Sequence, residues 1–140
     1  MPIVISAARY HDISCGHRVV DHEGKCQHLH GHNYRVHFHC EADALDDLGR
    51  IIDFSVIKST LCQWLEENWD HRMMLWHRDP LLPALLVIDP SIVSVPFNPT
   101  AENIAAHLLT VVGPEVLPPN VRLVRVVVDE TRKCSCEAAI

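Results

Sequence analysis

The sequence predicts an α+β domain in which two helices lie on one face of an antiparallel sheet, in the element order ββααββ. Three observations carry this prediction. Between residues 32 and 41 apolar and polar side chains alternate, with Tyr34, Val36, Phe38 and Cys40 on one face and Arg35, His37, His39 and Glu41 on the other. Two stretches of helical periodicity follow, each opened by capping residues, at Asp53 and at Asn98-Pro99-Thr100. Val121 to Glu130 is then rich in β-formers. Helices grouped between strand pairs point to an antiparallel sheet rather than to an interleaved parallel one.

Taken in order, residues 3 to 16 mix Ile3, Val4, Ile5, Tyr10 and Ile13 with polar residues and read as a long first strand. Asp21-His22-Glu23-Gly24-Lys25 is polar and turn-like, so this strand pairs with the one at 32–41 as a long hairpin. The first helix runs from its Asp53 cap to Trp69, with Phe54, Ile57, Leu61, Trp64 and Leu65 at helical spacing and Lys58, Gln63, Glu66 and Glu67 off that face. Residues 72 to 98, broken by Pro80, Pro83, Pro90 and Pro96, read as a connection holding one short strand at Ile92 to Val95. Pro99 suits a first helical turn and Glu102 the positive helix end, so a second helix runs to Val112, where Gly113-Pro114 stops it. After the strand at Val121 to Glu130, Arg132-Lys133 turns the chain into a last short strand from Cys134 to Ile140. Residues 1–140 are expected to form a single domain.

Composition narrows the function. Apolar residues make up 48% and charged residues 21%, the balance of a folded globular chain. The formal net charge of −6 leaves no long basic face for nucleic acid. No run approaches the roughly 18 apolar residues that a membrane span needs, and the N-terminus carries no export signal, so a cytoplasmic protein is expected. In that setting Cys15, Cys26, Cys40, Cys62, Cys134 and Cys136 read as reduced thiols rather than as a disulfide framework. Of eleven histidines, His17, His22, His28, His30, His32 and His37 fall in one short region, a density that points to metal.

The strongest motif is Cys26-x-x-x-His30-Gly31-His32. Two histidines two apart on an extended chain project to the same side, and Gly31 between them removes a side chain that would crowd the other face. His17 ends the first strand and arrives beside them through the hairpin. Three neutral imidazoles leave zinc its full charge and an open fourth position, as catalytic sites require. Were Cys26 to close the shell, the same residues would make a structural zinc in a non-catalytic module. His22 and His28 are rival ligands that spacing leaves open.

Asp70-His71 at a helix end is either a histidine favoured by the helix dipole or a carboxylate orienting an imidazole. In the second case an imidazole and a thiol on two sides of a substrate supply separate proton-transfer groups. Glu130 is either a partly buried carboxylate suited to a guanidine-like ring edge, with its two parallel N–H groups, or an edge acid beside Arg132 and Lys133. Lys25, Arg18 and Arg9 are the cations on offer for an anionic substrate.

Together these residues fall into an order. His17 in Cys15-Gly16-His17-Arg18, Cys26-x-x-x-His30-Gly31-His32, Ile51-Ile52-Asp53-Phe54, Asp70-His71, Pro99-Thr100-Ala101-Glu102-Asn103 and Asp129-Glu130-Thr131 resemble the successive motifs of the 6-pyruvoyltetrahydropterin synthase family, over nearly the whole chain. The resemblance implies the tunnelling fold, in which ββααββ subunits join their sheets into a trimeric barrel and two trimers stack into a hexamer with sites between subunits. It implies zinc on His17, His30 and His32, Cys26 as base, Asp70 and His71 completing a proton relay, Glu130 anchoring the pterin ring with help near Thr100, and 7,8-dihydroneopterin triphosphate as substrate. The three-residue gap after Cys26 resembles the bacterial 6-carboxytetrahydropterin synthases of queuosine and deazapurine biosynthesis, which also release acetaldehyde; the alternative is the 6-pyruvoyl product. Two departures stand out: Ile13-Ser14-Cys15-Gly16 places a second thiol near the metal as a competing ligand, and segment 72 to 98 is long for the family.

Overall fold

The computed structural model describes all 140 residues. The first two strands, β1 (Ala7–His17) and β2 (His30–Ala42), form the expected hairpin, paired antiparallel from Ala7 opposite Cys40 to His17 opposite His30. β1 begins later than residue 3, and Ile3 and Val4 are exposed. Helix α1 covers residues 54–68 as Phe54–Ile57, a π turn Lys58–Cys62 and Gln63–Asn68. Asp53 caps it as predicted, its side chain accepting from the Ser55 N–H. Phe54, assigned to the apolar face, is instead exposed, since the first turn lies beyond the end of the packed stripe that starts at Ile57.

Residues 72 to 98 hold more structure than the sequence reading gave them. Strand β3 (Arg72–Trp76) runs parallel to β1, helix α2 (Leu82–Ile88) follows, and β4 (Val93–Val95) runs parallel to β3. The sheet therefore has six strands in the order β4-β3-β1-β2-β5-β6 and is mixed, with two parallel strands added to one edge of the expected antiparallel four. The prolines did not prevent this because they sit between the elements or, as Pro83, in the first turn of α2, where a missing N–H costs nothing.

Helix α3 covers 101–116 as Ala101–His107, a π turn Leu108–Val112 and Gly113–Val116. It passes through Gly113-Pro114 instead of stopping there. The shifted register of the π turn places Pro114 in a new first turn, and Gly113 packs flat on the sheet: a Cβ on it would lie 2.7 Å from Leu123 Cδ2. Each π turn contains a threonine that donates to the carbonyl four residues back, Thr60 to Val56 at 2.5 Å and Thr110 to Ala106 at 2.7 Å.

The last hairpin is β5 (Val121–Asp129) with β6 (Ser135–Ala139). The register of β5 on β2 shifts at His39/Cys40, so Leu123 and Val126, not Val124, share the buried face. One cluster of 26 buried residues joins Ile57, Leu61 and Leu65 of α1 and Ile104, Leu108 and Val112 of α3 to Val36, Phe38, Cys40, Val126 and Val128, so both long helices cover the same sheet face. Each such aliphatic side chain contributes roughly 1.5–3 kcal/mol relative to exposure. No helix is long and apolar enough to cross a membrane.

Candidate metal centre

The hairpin register builds the site. His17 lies directly opposite His30, and Cys15 opposite His32, at the closed end of β1 and β2. Alternation puts residues 13, 15 and 17 on the same sheet side as 30, 32 and 34, so the three imidazoles converge where the core ends. Their ligating atoms lie within 4.8 Å of one another, and the ring centroids stand 4.5, 5.2 and 4.9 Å apart. Gly31 keeps the strand flat here; a Cβ on it would meet the Cys15 carbonyl oxygen at 3.2 Å.

Two of the rings are oriented by backbone carbonyls. His17 Nδ1 lies 2.7 Å from the Pro99 oxygen, and His30 Nδ1 lies 2.7 Å from the His28 oxygen. A carbonyl only accepts, so both Nδ1 atoms carry the proton and both Nε2 atoms present a lone pair. His17 is 1% exposed, and its Nε2 and that of His32 are buried without a hydrogen-bond partner. Leaving such an atom unpaired costs about 1–3 kcal/mol, and a cation shared by the lone pairs removes that cost. Burial pushes the His17 pKa down to about 4, and burial lowers that of His32 against the opposing pull of Glu130. Burial thus favours the neutral form of His17 and His32, the state in which imidazole ligates a metal. Donor set, neutrality and orphaned nitrogens fit zinc.

Around the triad, Tyr34 places its hydroxyl 3.2 Å from His17 Nδ1, and burial drives its pKa upward, so it stays a phenol. Glu130 Oε1 lies 3.6 Å from His32 Nε2, which brings the candidate ring anchor to the edge of the same site. Thr100 caps α3, its Oγ1 accepting from the Asn103 N–H, and so fixes the neighbouring Pro99 carbonyl.

The rival ligands fall away. Cys26, on a short 3₁₀ turn (Lys25–Gln27), is free and only partly buried, and its sulfur is outside the ligating group. Cys15 points into the core, where burial, then the charge of Asp70, raises its thiol to about 12. His22 Nδ1 accepts from the Gly24 N–H, and His28 contributes only its carbonyl.

Asp70 and His71 form their own pair, 2.8 Å apart, with Asp70 also accepting from the Ser14 N–H at 2.9 Å. Burial works to raise the Asp70 pKa, but the Ser14 N–H and His71 outweigh it and hold the carboxyl below its usual range. His71 has φ 59° and is 80% exposed at its side chain. It lines a cavity of about 490 Å³ with Ser14, Gly16, Gly31, Asn33 and His32, and no hydrogen bond joins it to Cys26.

Sequence reasoning missed the carbonyls of Pro99 and His28, since backbone acceptors carry no residue signature. It also missed Tyr34, which the two-residue spacing from His32 places on the same strand face. Of the candidate cations, Arg18 is committed to Asp79 and Arg9 donates to the Phe54 carbonyl, leaving Lys25 free.

Compared with known proteins, residues 6–139 match the family model described as 6-pyruvoyl tetrahydropterin synthase. The 6-carboxy-5,6,7,8-tetrahydropterin synthase of Rickettsia typhi is 34% identical over 137 residues, 96% of this chain and 99% of the relative. The Rickettsia conorii protein of the same name is 36% identical over 115 residues, 81% and 83% of the two chains. An uncharacterized Wolinella succinogenes protein superposes with a TM-score of 0.86 at 26% identity over 99% of both chains. Caenorhabditis elegans 6-pyruvoyl tetrahydropterin synthase superposes with a TM-score of 0.70 at 21% identity, covering 100% of this chain and 97% of that one, a likeness of fold.

Proposed function

Because this chain belongs to the 6-pyruvoyl tetrahydropterin synthase family and is an enzyme of the tetrahydropterin synthase kind, we propose that it forms 6-carboxy-5,6,7,8-tetrahydropterin. The substrate in this reading is 7,8-dihydroneopterin triphosphate, and the reaction takes up water and releases acetaldehyde and triphosphate. The names borne by the relatives support the carboxy product. The observation that carries the reading is the convergence of His17, His30 and His32 with buried, unpartnered nitrogens.

Those three residues would hold zinc, which when bound polarises the hydroxyl and carbonyl oxygens of the substrate side chain. The chain's own groups divide the remaining work. Cys26, free beside the site, takes a proton as the general base. Asp70 fixes the proton on His71 Nδ1, leaving the far nitrogen to accept or return a proton at a second position. Glu130 accepts the paired N–H groups of the pterin ring, and Thr100 supports the ring edge.

The reading includes a homohexamer of two stacked trimers. Two bare strand edges support assembly: β1 is paired only with β2 over Ala7–Ile13, and β6 only with β5. An assembly that brings His71 of one subunit to Cys26 of another would complete the relay. Six free cysteines support a cytoplasmic setting, with a role in queuosine or deazapurine synthesis.

The test is mass spectrometry of the products formed from 7,8-dihydroneopterin triphosphate by zinc-loaded protein, with acetaldehyde assayed in parallel. 6-Carboxytetrahydropterin with equimolar acetaldehyde is expected. 6-Pyruvoyltetrahydropterin without acetaldehyde would move the protein to the other product, and no turnover by folded, zinc-replete protein would remove the function.

A further inference from the structure

Arg18 follows the candidate metal-site residue His17 and is buried to 14% side-chain exposure, with its guanidinium turned to Asp79. Its Nε and Nη2 donate to the two carboxylate oxygens of Asp79 at 2.6 and 2.8 Å, and its Nη1 donates to the Gln27 carbonyl at 3.0 Å. Asp79 is fully enclosed at its side chain, and its Oδ1 also accepts from the Leu81 N–H at 2.8 Å. Both charges are thus paired, in the planar two-bond geometry that only a guanidinium supplies.

The contacts tie together three parts of the chain that sequence does not link: the end of β1, the 3₁₀ turn carrying Cys26, and the segment between β3 and β4. The neighbouring residues tighten the same knot. Val19 N–H donates to the Cys26 carbonyl at 2.8 Å, and the Asn98 side chain both accepts from Val20 N–H and donates to its carbonyl, at 2.9 and 3.0 Å. The Cys26 turn contains no buried residue of its own and spans only three residues. Its own hydrogen bonds, Gln27 N–H to the Gly24 oxygen and His28 N–H to the Lys25 oxygen, shape the turn locally, while the carbonyls of Gln27 and Cys26, gripped by Arg18 and Val19, tie it to the end of β1.

We propose that Arg18 and Asp79 are positioning residues for Cys26: the buried pair anchors the guanidinium, and the guanidinium fixes the turn that carries the base. This rests on the functional reading above, in which Cys26 moves a proton. It also assigns a role to the long segment 72 to 98, which delivers Asp79 beneath the site. Misplacing a reacting group by about 1 Å costs on the order of 10²-fold in rate, so a loosened turn lowers turnover without touching substrate affinity.

Removing one partner would strand a buried charge and unfold the region, so the test removes both. A buried ion pair replaced by apolar residues generally keeps the fold. The double variant Arg18→Met/Asp79→Leu and the single variant Arg18→Lys, which keeps the charge but cannot bridge Asp79 and Gln27 together, are compared with wild type as zinc-loaded protein. Three quantities are read: kcat and KM separately, zinc content, and the iodoacetamide alkylation rate of Cys26 by peptide mass mapping. The expected result is kcat down by about tenfold or more with KM within about twofold, zinc unchanged, and Cys26 alkylated several-fold faster. Wild-type kcat and wild-type alkylation in whichever variant folds would overturn the inference. A wild type without turnover would instead refute the functional reading, and the alkylation comparison alone would then decide the positioning role.

Discussion

His17 Nδ1 donates across 82 residues of sequence to the carbonyl oxygen of Pro99, 2.7 Å away, and the opposite nitrogen of the same ring is buried with no partner. One hydrogen bond thus fixes the tautomer, the ring plane and the direction of the lone pair. The start of α3 is in this way part of the candidate metal site.

Loss of the α3 cap should therefore reach the site. Thr100→Ala removes the acceptor of the Asn103 N–H and costs about 1 kcal/mol of stability. Because Pro99 moves with it, zinc affinity is expected to fall about tenfold or more. Competition with a chromophoric chelator checks this, and unchanged affinity would separate the cap from the centre.

Cys26→Ala is expected to retain one zinc per subunit and lose turnover, while His30→Ala loses both. Metal analysis of the two purified proteins beside their rates is sufficient. Zinc retained by the histidine variant would count against the ligand set, and zinc lost by the cysteine variant would restore the closed, structural centre.

Two glycines on adjacent strands make a matched comparison. A methyl group on Gly16 meets the flexible end of Met73, with Cε at 2.6 Å, whereas one on Gly31 meets the Cys15 backbone oxygen at 3.2 Å. A methionine terminus swings aside; a strand carbonyl moves only with its strand. Gly31→Ala, between His30 and His32, should weaken zinc binding more than Gly16→Ala does, and isothermal titration of both would detect it.

The four antiparallel strands and the starts of α1 and α3 were legible because each rests on local pattern, as in the alternation at Tyr34 to Cys40 and the capping oxygens at Asp53 and Thr100. The histidine triad was legible because spacing on an extended strand fixes side. β3 was not, since Met73, Met74 and Leu75 form only a short apolar run, and its strand character comes from parallel pairing of Arg72, Met73 and Met74 with Cys15, Gly16 and His17. The path of α3 through Gly113-Pro114 depends on a π turn that composition does not announce. Arg18 gave a misleading signal. A cation near an expected anion site reads as a ligand until the enclosed Asp79, 61 residues away, is seen to hold it.

Acidification should destabilise the metal-free protein. His17 titrates at about 4 in the folded chain against 6.5 ordinarily, because burial disfavours its charged form. The unfolded chain then binds the proton first as pH falls. Stability from this residue is complete above pH 6.5 and is lost progressively toward pH 4, by about 3 kcal/mol in all. His32, also lowered by burial, acts in the same direction. Urea midpoints of chelator-treated protein should fall steadily across that window; a flat profile would mean that the imidazoles are not held neutral.

The most direct test of an open, three-histidine zinc centre is X-ray absorption at the zinc edge of the metal-loaded protein. Three nitrogen scatterers at about 2.0 Å with an additional light oxygen ligand and no sulfur are expected. A sulfur scatterer at about 2.3 Å would place a cysteine on the metal and contradict the account.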